Sequence, residues 1–230
     1  MSEEKPKQTG TVRINDEIKR EKRFVAVMAH PRSGTGYMSR LFHAFGLDVR
    51  HETEMGADGI SSFLIGASEN PRWGPDPWKY DFKNRIHVVR DPVKVVSSVL
   101  ACVTEGVQEY MAREAGIDAE LCAPERAVRV YLKWHERILC RKPNMRVKVE
   151  DSIAHLTEWL QTEPDPDKLP PTDFNNRSYQ LGGREAPPDF EWSWWGQNVP
   201  LEVFYQFQAL ALEYGYDVPG VVRCPDVRSV

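Results

Sequence analysis

The sequence predicts an α/β fold of three layers, with a central parallel sheet flanked by helices. Short apolar runs alternate with longer segments of helical spacing, the order that gives parallel strands joined by helical crossovers. The first run, "RFVAVMA" (23–29), is apolar almost without a break, as expected of a strand covered on both faces. Three of the runs also pass directly into a helix, through "HPRSGTG", "RDP" and "ED".

The elements follow in order. After the first strand, "GTGYMSRLFHAF" reads as a helix with Met38, Leu41, Phe42 and Phe45 on one side, stopped by Gly46. "LDVRHE" is a short second strand, and "ADGISSFLIGA" reads as helical. "ENPRWGPDPWKYDF" is a loop rich in proline and aromatics. "RIHVVR" (85–90) is the third strand. It enters "DPVKVVSSVLACV", where Asp91 is a cap, Pro92 occupies the first turn, and Val95, Val96 and Val99 form the apolar stripe. "APERAVRVYLKWHERILC" is the longest helix, with Ala127, Tyr131, Trp134 and Ile138 at helical spacing. "MRVKV" (145–149) is a fourth strand leading into "EDSIAHLTEWL". "TEPDPDKLPPTD" is a surface loop, and "LEVFYQFQALALEYG" is the final helix.

A chain of 230 residues can bury one sizeable core. Residues 1–22 are charged and without an apolar stretch, which reads as a flexible arm rather than a signal peptide. Residues 23–230 then form a single domain. A net charge of −4 argues against a general nucleic-acid binder, and no run is long enough to span a membrane. Cys102, Cys122, Cys140 and Cys224 show neither C-x-x-C spacing nor a dense framework. Reduced thiols in a cytoplasm are the simple reading, and no metal site is expected.

Ligands of open parallel sheets sit beyond the carboxyl ends of the strands. Three clusters fall there. The first is the loop of Arg32, Ser33, Gly34, Thr35, Gly36 and Tyr37, where glycine lets the backbone approach an anion and the new helix adds positive dipole. No Gly-Lys-Ser/Thr ending is present, so this differs from the common ATP-binding loop. The second is "VRDPVKVVSS", with Arg90 at the end of a buried strand and Ser98 eight positions on. Arg90 either meets an anion or pairs with a carboxylate such as Asp91. The third is "RHETE" (50–54), where Glu52 and His51 are both able to take a proton; the alternative is a hydrated loop end. His30 reads as a hydrogen-bonder of the loop, and Glu54 as exposed.

"PRSGTGY" followed by "RDPVKVVSS" resembles the P-loop sulfotransferase family, which uses 3′-phosphoadenosine 5′-phosphosulfate (PAPS). "VKVED" (147–151) is similar to that family's fourth-strand stretch. The resemblance runs from about residue 24 to 160, with a weaker echo at "EWSWW". It implies a P-loop fold in which Arg32 to Thr35 hold the 5′-phosphosulfate, Arg90 and Ser98 hold the 3′-phosphate, and Tyr37 stacks on adenine. It also implies that Glu52, with His51 as rival or partner, is the base. Gly36 replaces the usual second threonine. No basic-Gly motif follows near the C-terminus, and Arg177 or Arg184 is the candidate third phosphate contact.

Two further groups stay open. Arg126, Arg129, Lys133 and Arg137 form either a solvated face with Glu125 and Glu136 or a lining for an anionic acceptor. Trp73, Trp78 and Tyr80 either cover the acceptor pocket or pack on the core. The expectation is a PAPS-dependent sulfotransferase that releases adenosine 3′,5′-bisphosphate, needs no metal and acts on a small-molecule or glycan acceptor. The rivals are a P-loop kinase using ATP and a non-catalytic nucleotide-binding module.

Overall fold

The structure, a computed structural model, describes residues 20–67, 76, 79–171 and 190–221. Five strands form one all-parallel sheet in the order β2-β3-β1-β4-β5. They are β1 (Glu21–Ala29), β2 (Val49–His51), β3 (Gly59–Ser62), β4 (Tyr80–Val89) and β5 (Met145–Lys148). The helices are α1 (Thr35–Ala44), α2 (Phe63–Ala67), α3 (Pro92–Cys102), α4 (Glu105–Ala115), α5 (Ala123–Cys140), α6 (Ser152–Leu160), α7 (Trp192–Asn198) and α8 (Leu201–Glu213). No helix among the described residues is long and apolar enough to cross a membrane.

Strand alternation produces the layers. Val25, Val27 and Ala29 leave β1 on one face and pack with Met38, Leu41 and Phe42 of α1 and Leu156 of α6. Ala26 and Met28 leave the other face and meet Ile60, Leu64, Met111 and Trp134. A further cluster, around Tyr131, Trp195 and Phe207, ties α3 and α5 to the last two helices.

Two readings change. The stretch 57–67 was expected to be helical throughout, but Gly59–Ser62 is a strand and only Phe63–Ala67 is helix. Gly59 explains it. A Cβ there would lie 1.8 Å from the Val25 carbonyl oxygen, so the backbone approach that pairs β3 with β1 demands glycine. The sheet also begins earlier than the apolar runs suggest, because Glu21 and Lys22 pair with Tyr80 and Asp81. Tyr80 therefore stands at the N-terminal end of β4, opposite the candidate site, and does not cover an acceptor pocket there. Trp73 and Trp78 lie outside the described residues.

The Asp91 cap is present. Its Oδ1 accepts from the N–H of Val93 at 3.0 Å and of Lys94 at 3.4 Å, with Pro92 opening α3. Asp91→Ala should cost about 1 kcal/mol, lowering the melting temperature by roughly 2–4 °C. A thermal melt showing no change would mean solvent replaces the cap without loss.

Candidate functional site

The chain leaves β1 toward α1 and β2 on one side of the sheet, and leaves β4 toward α3 and β5 on the other. The two loops therefore open a crevice between β1 and β4, the switch point at which open sheets take ligands. β3 lies on the other flank of β1, and the end of β2 pairs with β3.

The clusters predicted from sequence come together here. Arg32 Nε donates to Ser98 Oγ at 2.9 Å, linking the first loop to α3. Arg90 Nη1 donates to the Arg32 carbonyl oxygen at 3.2 Å. From the first turn of α1, Thr35 Oγ1 donates to Glu52 Oε1 at 2.9 Å and lies 3.1 Å from His51 Nε2. His51 Nε2 is itself 3.0 Å from Glu52 Oε1. Arg177 and Arg184 lie outside the described residues.

Backbone conformation marks the same residues. Arg32 (φ 73°) and Glu52 (φ 55°) are in the left-handed region, as is Gly34 (φ 94°). Left-handed backbone costs a side-chain-bearing residue roughly 1–2 kcal/mol. It persists where surrounding contacts hold it, as they do at functional sites. At Glu52 those contacts are on both sides: its N–H donates to the Ser61 carbonyl at 3.0 Å while its carboxylate is bound by hydroxyls.

The donors differ from those expected. Ser33 is fully buried, its N–H is used by the His30 carbonyl, and its Oγ has no partner among the described residues. Thr35 gives its hydroxyl hydrogen to Glu52. The donors the loop leaves for a ligand are then the N-terminus of α1, which has no side-chain cap, and the guanidinium groups of Arg32 and Arg90. Tyr37 is 9% exposed and packs with Leu41, Phe42 and Val49, which limits the stacking face it offers.

Two serines were missed. Ser62 Oγ donates to Glu52 Oε2 at 3.0 Å, and Ser61 Oγ donates to the Thr35 carbonyl at 2.8 Å. The signal for them was Asp58-Gly59, a turn pair just before a short run ending in two serines.

On α5 the bland reading holds for the cations whose partners are defined. Arg129 meets Glu125 at 2.8 Å and Glu202 at 3.5 Å, Lys133 meets Glu136 at 2.8 Å, and Arg126 donates to the Ala119 carbonyl. Glu54 is exposed, 4.0 Å from Arg50.

Behind the loop lies a feature the sequence did not suggest. His30 is completely buried and its Nδ1 lies 2.8 Å from the Pro31 carbonyl oxygen. Its ring stacks on His135, which shares a 2.8 Å hydrogen bond with His87. Burial holds His30 and His87 down to a pKa of about 3, and lowers His135 as well. The Tyr131 and Tyr214 rings pack on His135.

No family model matches the chain, and neither the curated proteins nor the solved structures contain a match to it.

Proposed function

We propose that the protein transfers a sulfuryl group from PAPS to a hydroxyl or amine, on the same P-loop scaffold as the sulfotransferases its motifs resemble. The observation that carries this reading is the meeting of three separate stretches at the β1–β4 crevice: Arg32 on Ser98, Arg90 on the Arg32 carbonyl, and Thr35 on Glu52. The residues fit a doubly anionic co-substrate. An uncapped helix N-terminus and Arg32 suit the 5′-phosphosulfate, and Arg90 with Ser98 suits the 3′-phosphate.

In this scheme Glu52 accepts the proton of the acceptor hydroxyl or amine as its oxygen or nitrogen bonds to sulfur. The bond from sulfur to the bridging oxygen breaks, and its electron pair stays on the phosphate of adenosine 3′,5′-bisphosphate. Arg32 offsets the charge growing on that oxygen, an interaction stronger in the transition state than before it. Ser98, held by Arg32 Nε, couples the two ends of the nucleotide site.

Nucleotide preference tests the reading. Adenosine 3′,5′-bisphosphate should bind about ten- to a hundredfold more tightly than ADP, because one charge-assisted arginine contact is at stake. Arg90→Ala should remove most of that difference. Calorimetry giving equal affinities, or binding that requires magnesium, would favour an ATP-dependent kinase instead.

A further inference from the structure

On the face of the sheet that carries Ala26 and Met28, reaching back to Arg20 and Tyr80 at its N-terminal end, lies a cavity of about 190 Å³. Met28, Ile65 and Phe82 contribute to its apolar wall. Among the described residues four cations also line it, Arg20, Arg85, Arg141 and Lys142, and no carboxylate does.

Arg85 carries most of the weight. Its register partner is Ala26, so its side chain leaves the same face of the sheet as Ala26 and Met28, against the cluster that includes Trp134 and Ile138 of α5. A half-buried guanidinium on a covered sheet face is costly unless an anion meets it. Among the described residues neither Arg85, Arg20 nor Lys142 forms an ion pair, although the chain as a whole is acidic at −4. Lys142 also has left-handed backbone (φ 52°) just past the end of α5, where glycine is the usual residue. A lysine there accepts strain and brings a fourth cation to the cavity.

We infer that this cavity binds a small anionic amphiphile, a single carboxylate or sulfate carried on an apolar body of several carbons. The head lies against Arg85 and Lys142, and the body rests on Met28 and Ile65. The volume sets the size class, being below the roughly 300 Å³ at which drug-sized pockets begin. The inference does not depend on sulfuryl transfer, because none of these residues belongs to the β1–β4 crevice.

The test uses the whole chain with octanoate, hexanoate, octyl sulfate, octanol and inorganic sulfate, followed by calorimetry and by the methyl signals of Met28 and Ile65. Octanoate or octyl sulfate should bind saturably and shift both methyl signals, the tighter of the two identifying the head group. Hexanoate should bind more weakly than octanoate by about fourfold per missing methylene. Octanol, lacking the charge, should bind about ten- to a hundredfold more weakly, and so should octanoate to the Arg85→Gln/Lys142→Gln double variant. That variant should keep its affinity for adenosine 3′,5′-bisphosphate. Octanol binding as tightly as octanoate, inorganic sulfate alone accounting for the affinity, or methyl signals that stay fixed while heat is released would each overturn the assignment. So would the absence of saturable binding by either anionic probe.

Discussion

Lowering the pH from 7 to 5 should cost the protein several kcal/mol of stability and bring it close to acid unfolding. The cause is the buried trio of His30, His87 and His135, which are 0%, 0% and 1% exposed. Burial is the main reason their pKa values fall, to about 3 for His30 and His87; Arg146 adds to the effect at His87, and at His135 the neighbouring His87 and His30 add to it before Arg146 does. For His30 the bond to Pro31 opposes the shift without cancelling it.

The sign follows from linkage. Each folded-state value lies below the unfolded value of about 6.5, so the unfolded chain binds more protons once the pH drops below that point. Stability is complete above about pH 7 and is lost as pH falls from 6.5 toward 3. Between pH 7 and 5 His30 and His87 each cost roughly 2 kcal/mol, about 4 kcal/mol together, and His135 adds to this in the same direction. That is a large share of the stability of an ordinary domain, about 5–15 kcal/mol. Circular dichroism should place the acid midpoint at roughly pH 4.5–5.5. His30→Gln, which cannot titrate, should flatten the dependence by about a third if it folds. In the wild type the imidazole signals of His30, His87 and His135 should stay neutral until unfolding begins. A melting temperature that is flat from pH 7 to 5 would show that the histidines are hydrated and charge freely in the folded state.

How much was readable in advance depended on what each residue answers to. "RFVAVMA" announced a buried strand because burial on both faces from Val25 onward leaves only apolar residues there. "DPVKVVSS" announced its helix because a cap and a first-turn proline are local devices. β3 was not legible, because Gly59, Ser61 and Ser62 are there for a close backbone approach and for hydrogen bonds to Glu52 and Thr35, not for strand propensity. β4 was legible only as a strand. Ile86 and Val88 point to one face, while Arg85 and His87 point to the other, and their partners across the register are Ala26 and Met28. The left-handed backbone of Arg32 and Glu52 could not be read either, because it follows from contacts between segments far apart in the chain.

Glu52→Gln should lower single-turnover sulfate transfer by roughly 10²–10⁴-fold while leaving nucleotide affinity nearly unchanged. A carboxylate offers about four acceptor positions. Thr35 Oγ1 and His51 Nε2 approach Oε1, and Ser62 Oγ takes one position on Oε2. One position on Oε2 is left for the proton of an acceptor. The side chain is about one-fifth exposed, open enough to receive a substrate and held firmly enough to present that oxygen in one direction. Glutamine preserves the shape and the Thr35 contact, but its amide cannot act as a base at neutral pH. His51 is nearly half exposed and touches the same oxygen as Thr35, which suits orienting the carboxylate better than replacing it. His51→Ala should therefore cost less than Glu52→Gln. The readout is transfer of labelled sulfate from PAPS into cell-extract fractions, alongside calorimetry with adenosine 3′,5′-bisphosphate. A larger loss for His51→Ala would make the imidazole the base. If neither substitution slows transfer, Glu52 only fastens β2 and β3 to the start of α1, and the base lies elsewhere.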